Sequence, residues 1–90
     1  MYMVRKQITF SGMVQGVGFR YRSYHIAESL GLTGWVKNQW DGTVLMEVQG
    51  SDAAIDQLII NLGRQRFIYI EDIDIRDISV DEHERSFEVR

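Results

Sequence analysis

A glycine-rich segment followed by an arginine spans residues 12 to 20, which read GMVQGVGFR. Because glycine has no Cβ, Gly12, Gly16 and Gly18 can adopt positive φ and let the main chain curl with its N–H groups pointing inward. If a helix begins near Phe19, its first free N–H groups and the positive end of its dipole face the same concavity. Arg20 adds a permanent charge whose planar guanidinium can hold two phosphate oxygens. The segment predicts a phosphate-binding site.

The first half of the chain contains the elements that would position this segment. Alternating apolar residues from Val4 to Phe10 predict a strand that ends at Ser11-Gly12. The apolar spacing within 19–30 predicts a helix, with Gly31 as the residue after its C-cap. Segments 33–38 and 43–49 predict a β-hairpin with its turn at 39–42.

The second half predicts one more helix and two more strands. Ser51 can cap a helix that ends at Gly63 and has an apolar stripe with i, i+3, i+4, i+7 spacing. The isoleucines of 68–75 then change alternation phase, which predicts a bend or bulge in the strand there, and a short strand follows at 86–89. The element order predicts an α+β fold: a ferredoxin-like βαββαβ sandwich with two helices on one face of an antiparallel sheet and a short fifth strand at the C-terminus.

Composition narrows the class of protein. Ninety residues predict a single domain, residues 1–90. The absence of cysteine excludes disulfides, Cys-ligated zinc, iron–sulfur clusters and thiol chemistry. The N-terminus lacks an apolar stretch of signal-peptide length, and no run of residues is apolar enough to span a membrane. We therefore expect a cytoplasmic protein with no membrane partner.

The charges are distributed unevenly along the chain. Residues 1–45 contain five basic and two acidic residues, a net charge of +3, whereas residues 46–90 contain five and eleven, a net charge of −6. A nucleic-acid-binding protein usually spreads basic charge over a whole face. The modest positive charge around the glycine segment instead favours one small anion, and we expect no nucleic-acid partner.

Three common phosphate or nucleotide signatures do not fit. A dinucleotide-binding G-x-G-x-x-G has Tyr21 in place of its third glycine, and a Walker A loop would need a glycine at Val17 followed by lysine. An RNA-recognition sheet needs aromatic residues on two central strands. Only Phe10 lies on the first of them, and segment 43–49 has none.

Several segments together resemble the acylphosphatase family. They are 12–20, the GWVKN of 34–38, the DGTV of 41–44, Gly50 and the FEVR of 87–90, so the resemblance covers essentially the whole chain. It implies a small cytosolic hydrolase of ferredoxin-like fold that cleaves acyl phosphates, mixed anhydrides of a carboxylic acid and phosphate. It also implies that Arg20 and Asn38 are the catalytic residues and that no metal or other cofactor is used.

The chemistry of this reaction suits so sparse a site. The leaving carboxylate is a weak base and needs no general acid, and phosphoryl transfer depends mainly on positioning and charge stabilisation. We expect Arg20 and the backbone N–H groups of the phosphate-binding loop to hold the phosphoryl oxygens, while Asn38 orients the attacking water. The loop residues are Gln15, Gly16, Val17, Gly18 and Phe19.

Other interpretations remain open. The same fold could carry a non-catalytic anion-binding or interaction module, or be the acylphosphatase-like domain at the front of a larger carbamoyl-transfer protein. The chain length and the missing cysteines count against the larger protein. His25 and His83 lack partners at metal-ligand spacing. We expect a monomer with Phe19 and Trp35 in the core and Trp40 at an exposed rim.

Overall fold

The strands and helices follow one another along the chain in the predicted order. A computed structural model describes residues 2–90. The elements are β1 (Val4–Met13), α1 (Phe19–Ser29), β2 (Thr33–Asn38), β3 (Val44–Gly50), α2 (Asp52–Gly63), β4 (Tyr69–Ile78) and β5 (Phe87–Val89). The ferredoxin-like α+β fold is confirmed.

The five strands form one sheet in the order β4-β1-β3-β2-β5. The pairs β1–β3, β1–β4 and β2–β3 are antiparallel, but β2 and β5 are parallel. The sheet is therefore mostly antiparallel, as predicted, with one parallel pair at the short fifth strand. β4 and β5 lie at opposite edges, so the connection between them crosses the sheet near one end. β5 then runs in the same direction as β2.

The hydrophobic core fills the space between the sheet and the two helices. Each strand alternates, so one face carries residues such as Ile8, Val36 and Met46, which are fully buried in one cluster with Ile55 and Leu58 of α2. Burying each such side chain contributes about 1.5–3 kcal/mol. Ser51 caps α2 by accepting a hydrogen bond from Ala54 N at 3.1 Å, as predicted.

Strand β1 ends at Met13, one residue beyond its predicted end, because its pairing with β4 resumes after a bulge. Ser11 pairs with Asp72 and Gly12 with Ile70, so Glu71 is the extra residue. This confirms the predicted change of phase among the isoleucines. A Cβ on Gly12 (φ 123°) would lie 2.3 Å from the Tyr69 carbonyl oxygen. Gly12 therefore allows close strand approach here and does not line the phosphate-binding loop.

The sheet face away from the helices is partly covered by the connection from β4 to β5. Arg5, which is 5% exposed, donates hydrogen bonds to Glu84 (2.8 Å), Glu47 (3.0 Å) and Gln49 (3.1 Å). Burial lowers the pKa of Arg5, but the hydrogen bonds to Glu84 and Glu47 outweigh it, so the net pKa is raised. Trp35 lies half-buried on this same face, and the expectation that it belongs to the core was wrong.

Candidate active site

The segment between β1 and α1 is anchored in the core at both ends. Val14 is fully buried, and Phe19 is 2% exposed with its ring 4.9 Å from that of Phe10. Between these anchors, Gly16 and Gly18 have φ values of 72° and 80°, as predicted. A Cβ at either position would meet no other atom, so the left-handed backbone, rather than a lack of space, favours glycine there.

The first turn of α1 has no side-chain cap. Gly18 is the N-cap residue, and no side chain accepts a hydrogen bond from the first N–H groups, in contrast to Ser51 at the start of α2. The first turn therefore retains backbone donors, and the helix dipole adds a partial positive charge. The helix begins at Phe19, as predicted, and its uncapped N–H groups could bind an anion.

A cleft of about 320 Å³ opens beside this turn. Arg20 reaches it from the first turn of α1, and Asn38 reaches it from the last residue of β2. The cleft is lined by Val14, Gly16, Gly18, Phe19, Arg20, Tyr21, Asn38 and Val89. Two residues that are 18 positions apart (38 minus 20) thus share one opening.

The guanidinium of Arg20 is held on one side only. Its Nη1 donates a hydrogen bond to the main-chain oxygen of Arg90 at 2.8 Å, and Arg90 N in turn donates to Val36 O at 2.8 Å. Arginine has five N–H donors in a planar fork, and no other side-chain hydrogen bond of Arg20 forms within residues 2–90, so its remaining donors can bind oxygens in the cleft. The main-chain oxygen of Arg90 therefore orients the guanidinium of Arg20.

A tight turn supports Asn38. Gly42 N donates to Gln39 O at 3.2 Å and Gln39 N donates to Thr43 O at 2.9 Å, which closes the hairpin just beyond Asn38. Asp41 accepts hydrogen bonds from Thr43 Oγ1 and Thr43 N, and these two bonds lower the pKa of Asp41. Within residues 2–90, no protein group forms a hydrogen bond with the side-chain amide of Asn38, which leaves it able to bind water.

The side chain of Gln15 joins the loop to this turn. Its Nε2 donates to Gln39 O at 2.7 Å and to Thr43 O at 2.9 Å. The glycine loop and the hairpin that carries Asn38 are thereby fixed to each other. The side chain of Gln15 has a positioning role that the sequence did not reveal.

The structure brings together five of the seven predicted site residues. Arg20, Asn38, Gly16, Gly18 and Phe19 line the cleft. The other two do not line it, since the Gln15 side chain points to the hairpin and Val17 lines a neighbouring groove.

Sequence reasoning missed several residues at the edge of the cleft. Val89 lines the cleft, and the main-chain oxygen of Arg90 accepts a hydrogen bond from Arg20, because β5 pairs with β2. No local sequence pattern indicates that pairing. Tyr21 directly follows Arg20, so its place on the first helical turn was a usable signal. Trp40 was expected to be a partly exposed aromatic at the rim, but it is 99% exposed and does not line the cleft.

Two further properties bear on the class of protein. Among the side chains of residues 2–90, no three from His, Asp or Glu form a cluster that could hold a metal ion. No helix of the described chain is long and apolar enough to cross a membrane.

The fold and the cleft together define a class: small ferredoxin-like α+β domains with a glycine-rich anion loop at the start of the first helix. Comparison with known proteins gives the family. The sequence model of the acylphosphatase family matches residues 6–89, and the chain belongs to the acylphosphatase family. An acylphosphatase from Bifidobacterium longum is 42% identical over 98% of this chain and 93% of its own.

Solved structures agree with this assignment. The crystal structure of an acylphosphatase from Bacillus subtilis superposes with a TM-score of 0.89 at 31% identity, over 97% of this chain and 98% of the other. An acylphosphatase from Coxiella burnetii gives a TM-score of 0.88 at 34% identity, over 98% and 93% of the two chains.

Proposed function

We propose that this chain is an acylphosphatase that hydrolyses the carboxyl–phosphate bond of acyl phosphates by in-line attack of water on phosphorus. A P–O bond forms to the water oxygen while the P–O bond to the acyl group breaks. The acyl oxygen leaves with the bonding electron pair as a carboxylate, and the water proton is released. One observation carries the proposal: Arg20 and Asn38, from different elements, line the same cleft.

The phosphoryl group would be bound by charge and backbone donors. Arg20, Gly18 and Phe19 all line the cleft, and no side chain caps the first N–H groups of α1. They neutralise the charge on the non-bridging oxygens as the transition state forms. Because these groups are fixed before the substrate binds, little reorganisation is needed during the reaction.

Asn38 would position the attacking water. Its amide offers both a donor and an acceptor, and from the end of β2 it lines the same cleft as Gly16 and Gly18. No general acid is required, because a carboxylate with a pKa of about 4 leaves unprotonated at neutral pH.

We also propose the domain organisation, location, oligomeric state and cofactor requirement of the enzyme. Residues 1–90 form one domain that acts in the cytoplasm, as a monomer, on a small-molecule acyl phosphate, without metal, other cofactor or nucleic acid. The family match over 6–89 supports the single domain. The net charge of −3 argues against a polyanionic partner.

Hydrolysis of benzoyl phosphate in excess EDTA tests the reaction. We expect benzoate and inorganic phosphate at an undiminished rate, and in water labelled with heavy oxygen the label should enter phosphate and not benzoate. Binding of phosphate without turnover would instead support a non-catalytic anion-binding module. Loss of activity with EDTA would contradict metal independence, and label in benzoate would contradict attack on phosphorus.

A further inference from the structure

A second groove adjoins the candidate active site. It has a volume of about 290 Å³ and is here called the arginine groove, lined by Val17, Gly18, Tyr21, Arg22, Gln65, Arg66 and Phe67. Gly18 and Tyr21 line both this groove and the cleft that contains Arg20. A substrate whose phosphoryl group lies in the cleft can therefore extend its acyl part into the arginine groove.

The arginine groove carries positive charge that nearby side chains do not neutralise. Ion pairs within residues 2–90 involve Arg5, Lys6, Arg76 and Arg90, and neither Arg22 nor Arg66 takes part in one. Arg22 comes from α1 and Arg66 from the connection between α2 and β4, so the fold brings together two cations that lie far apart in the sequence.

Aromatic rings support both guanidinium groups. Arg22 lies 5.8 Å from the centre of the Tyr21 ring, and Arg66 lies 5.4 Å from the centre of the Phe67 ring. Tyr21 packs edge-on against His25 at 4.4 Å. Stacking on a ring restricts an arginine side chain before a ligand binds and lowers the entropy lost on binding.

We propose that the arginine groove binds a second anionic group at the far end of the acyl chain. The substrates would then be acyl phosphates derived from dicarboxylic or similarly charged acids, in preference to uncharged ones. The inference rests on the proposed function, because it assigns the acyl part of the same substrate. A planar carboxylate fits guanidinium groups well, and the exposed rings of Tyr21 and Phe67 can contact the apolar part of the chain.

A comparison of two nearly isosteric substrates measures the effect of the distal negative charge alone. In 4-carboxybenzoyl phosphate the distal group is a carboxylate, and in 4-carbamoylbenzoyl phosphate it is an uncharged amide of similar shape. An exposed ion pair changes a binding constant by up to about fivefold, so two pairs predict a kcat/KM ratio of about five to twenty in favour of the carboxylate. The difference should appear in KM, because a remote contact is made equally before and during reaction. The ratio should also fall as salt is raised.

Variants then assign the preference to these residues. The double variant Arg22→Gln/Arg66→Gln should lower the ratio to about one. Arg64→Gln is the matched control, because it removes the same charge from the same connection but does not line the groove. It should keep the wild-type ratio.

Three results would overturn the inference: a wild-type ratio near one, a ratio that persists in the double variant, or an equal loss in Arg64→Gln, which would indicate a general field effect. These results differ from a failure of the proposed function, in which the protein would hydrolyse none of the three substrates: the carboxylate, the amide and benzoyl phosphate.

Discussion

The hydrogen bonds from Gln15 to the hairpin provide a quantitative test of how the site is assembled. In Gln15→Leu, the bonds to Gln39 O (2.7 Å) and Thr43 O (2.9 Å) are lost. Two neutral hydrogen bonds contribute about 1–3 kcal/mol. Both carbonyls keep a backbone partner, Gly42 N and Gln39 N respectively, so we expect the lower part of this range. A loss of about 1–2 kcal/mol corresponds to a fall in Tm of about 4–16 °C by calorimetry.

Gln15→Leu should lower kcat by more than its loss of about 1–2 kcal/mol in folding stability would suggest. Freed from the hairpin, the loop can shift relative to Asn38, and a misplacement of about 1 Å can lower a rate by about 100-fold. We expect kcat on benzoyl phosphate to fall roughly 10- to 100-fold, with little change in KM, because the anion-binding groups themselves remain.

Gln7→Leu is the matched control. Gln7 is also half-buried, and its Nε2 donates one hydrogen bond, to Glu47 at 3.2 Å, far from the cleft. This variant should lower Tm while leaving kcat close to wild type. If kcat of Gln15→Leu stays within about twofold of wild type, or if both variants lose activity equally, the positioning role is refuted.

Three further predictions concern pH and stability. Arginine stays protonated and an amide does not titrate, so kcat should vary little between about pH 5.5 and 8, and a steep limb near pH 6.5 would implicate a histidine. Arg5→Ala leaves Glu47 and Glu84 without their cation, and urea unfolding should show a loss of about 3–5 kcal/mol; a loss below about 1 kcal/mol would contradict this. The pKa of Asp41 is lowered by its bonds to Thr43, so its contribution to stability is complete above the unfolded pKa and lost as pH falls through the folded pKa. Asp41→Asn should therefore reduce the acid sensitivity of Tm below about pH 4, and an unchanged acid limb would refute this.

Local features of the fold could be predicted from the sequence because they depend on neighbouring residues. The cap at Ser51, the positive φ of Gly16 and Gly18, and the phase change before Ile73 all arise within a few positions along the chain. The same holds for Arg20, whose place on the first turn of α1 follows from the start of the helix at Phe19.

Features that depend on distant contacts could not be predicted in the same way. The parallel pairing of β5 with β2 places Val89 at the cleft and the main-chain oxygen of Arg90 beside Arg20, and three strand residues contain no signal for their partner. The hydrogen bonds of Gln15 depend on where the hairpin ends. Trp35 is large and apolar, which favours the core, but it alternates with the buried Val36 and therefore lies on the opposite face of the sheet.

The most direct test of the mechanism is the kcat of Asn38→Ala on benzoyl phosphate, measured beside the Kd for inorganic phosphate. If Asn38 positions the water and Arg20 with the loop holds the phosphoryl group, kcat should fall roughly 10²–10³-fold while phosphate affinity stays within about twofold. A kcat close to wild type, or a loss of phosphate affinity that matches the loss of rate, would contradict this division of roles.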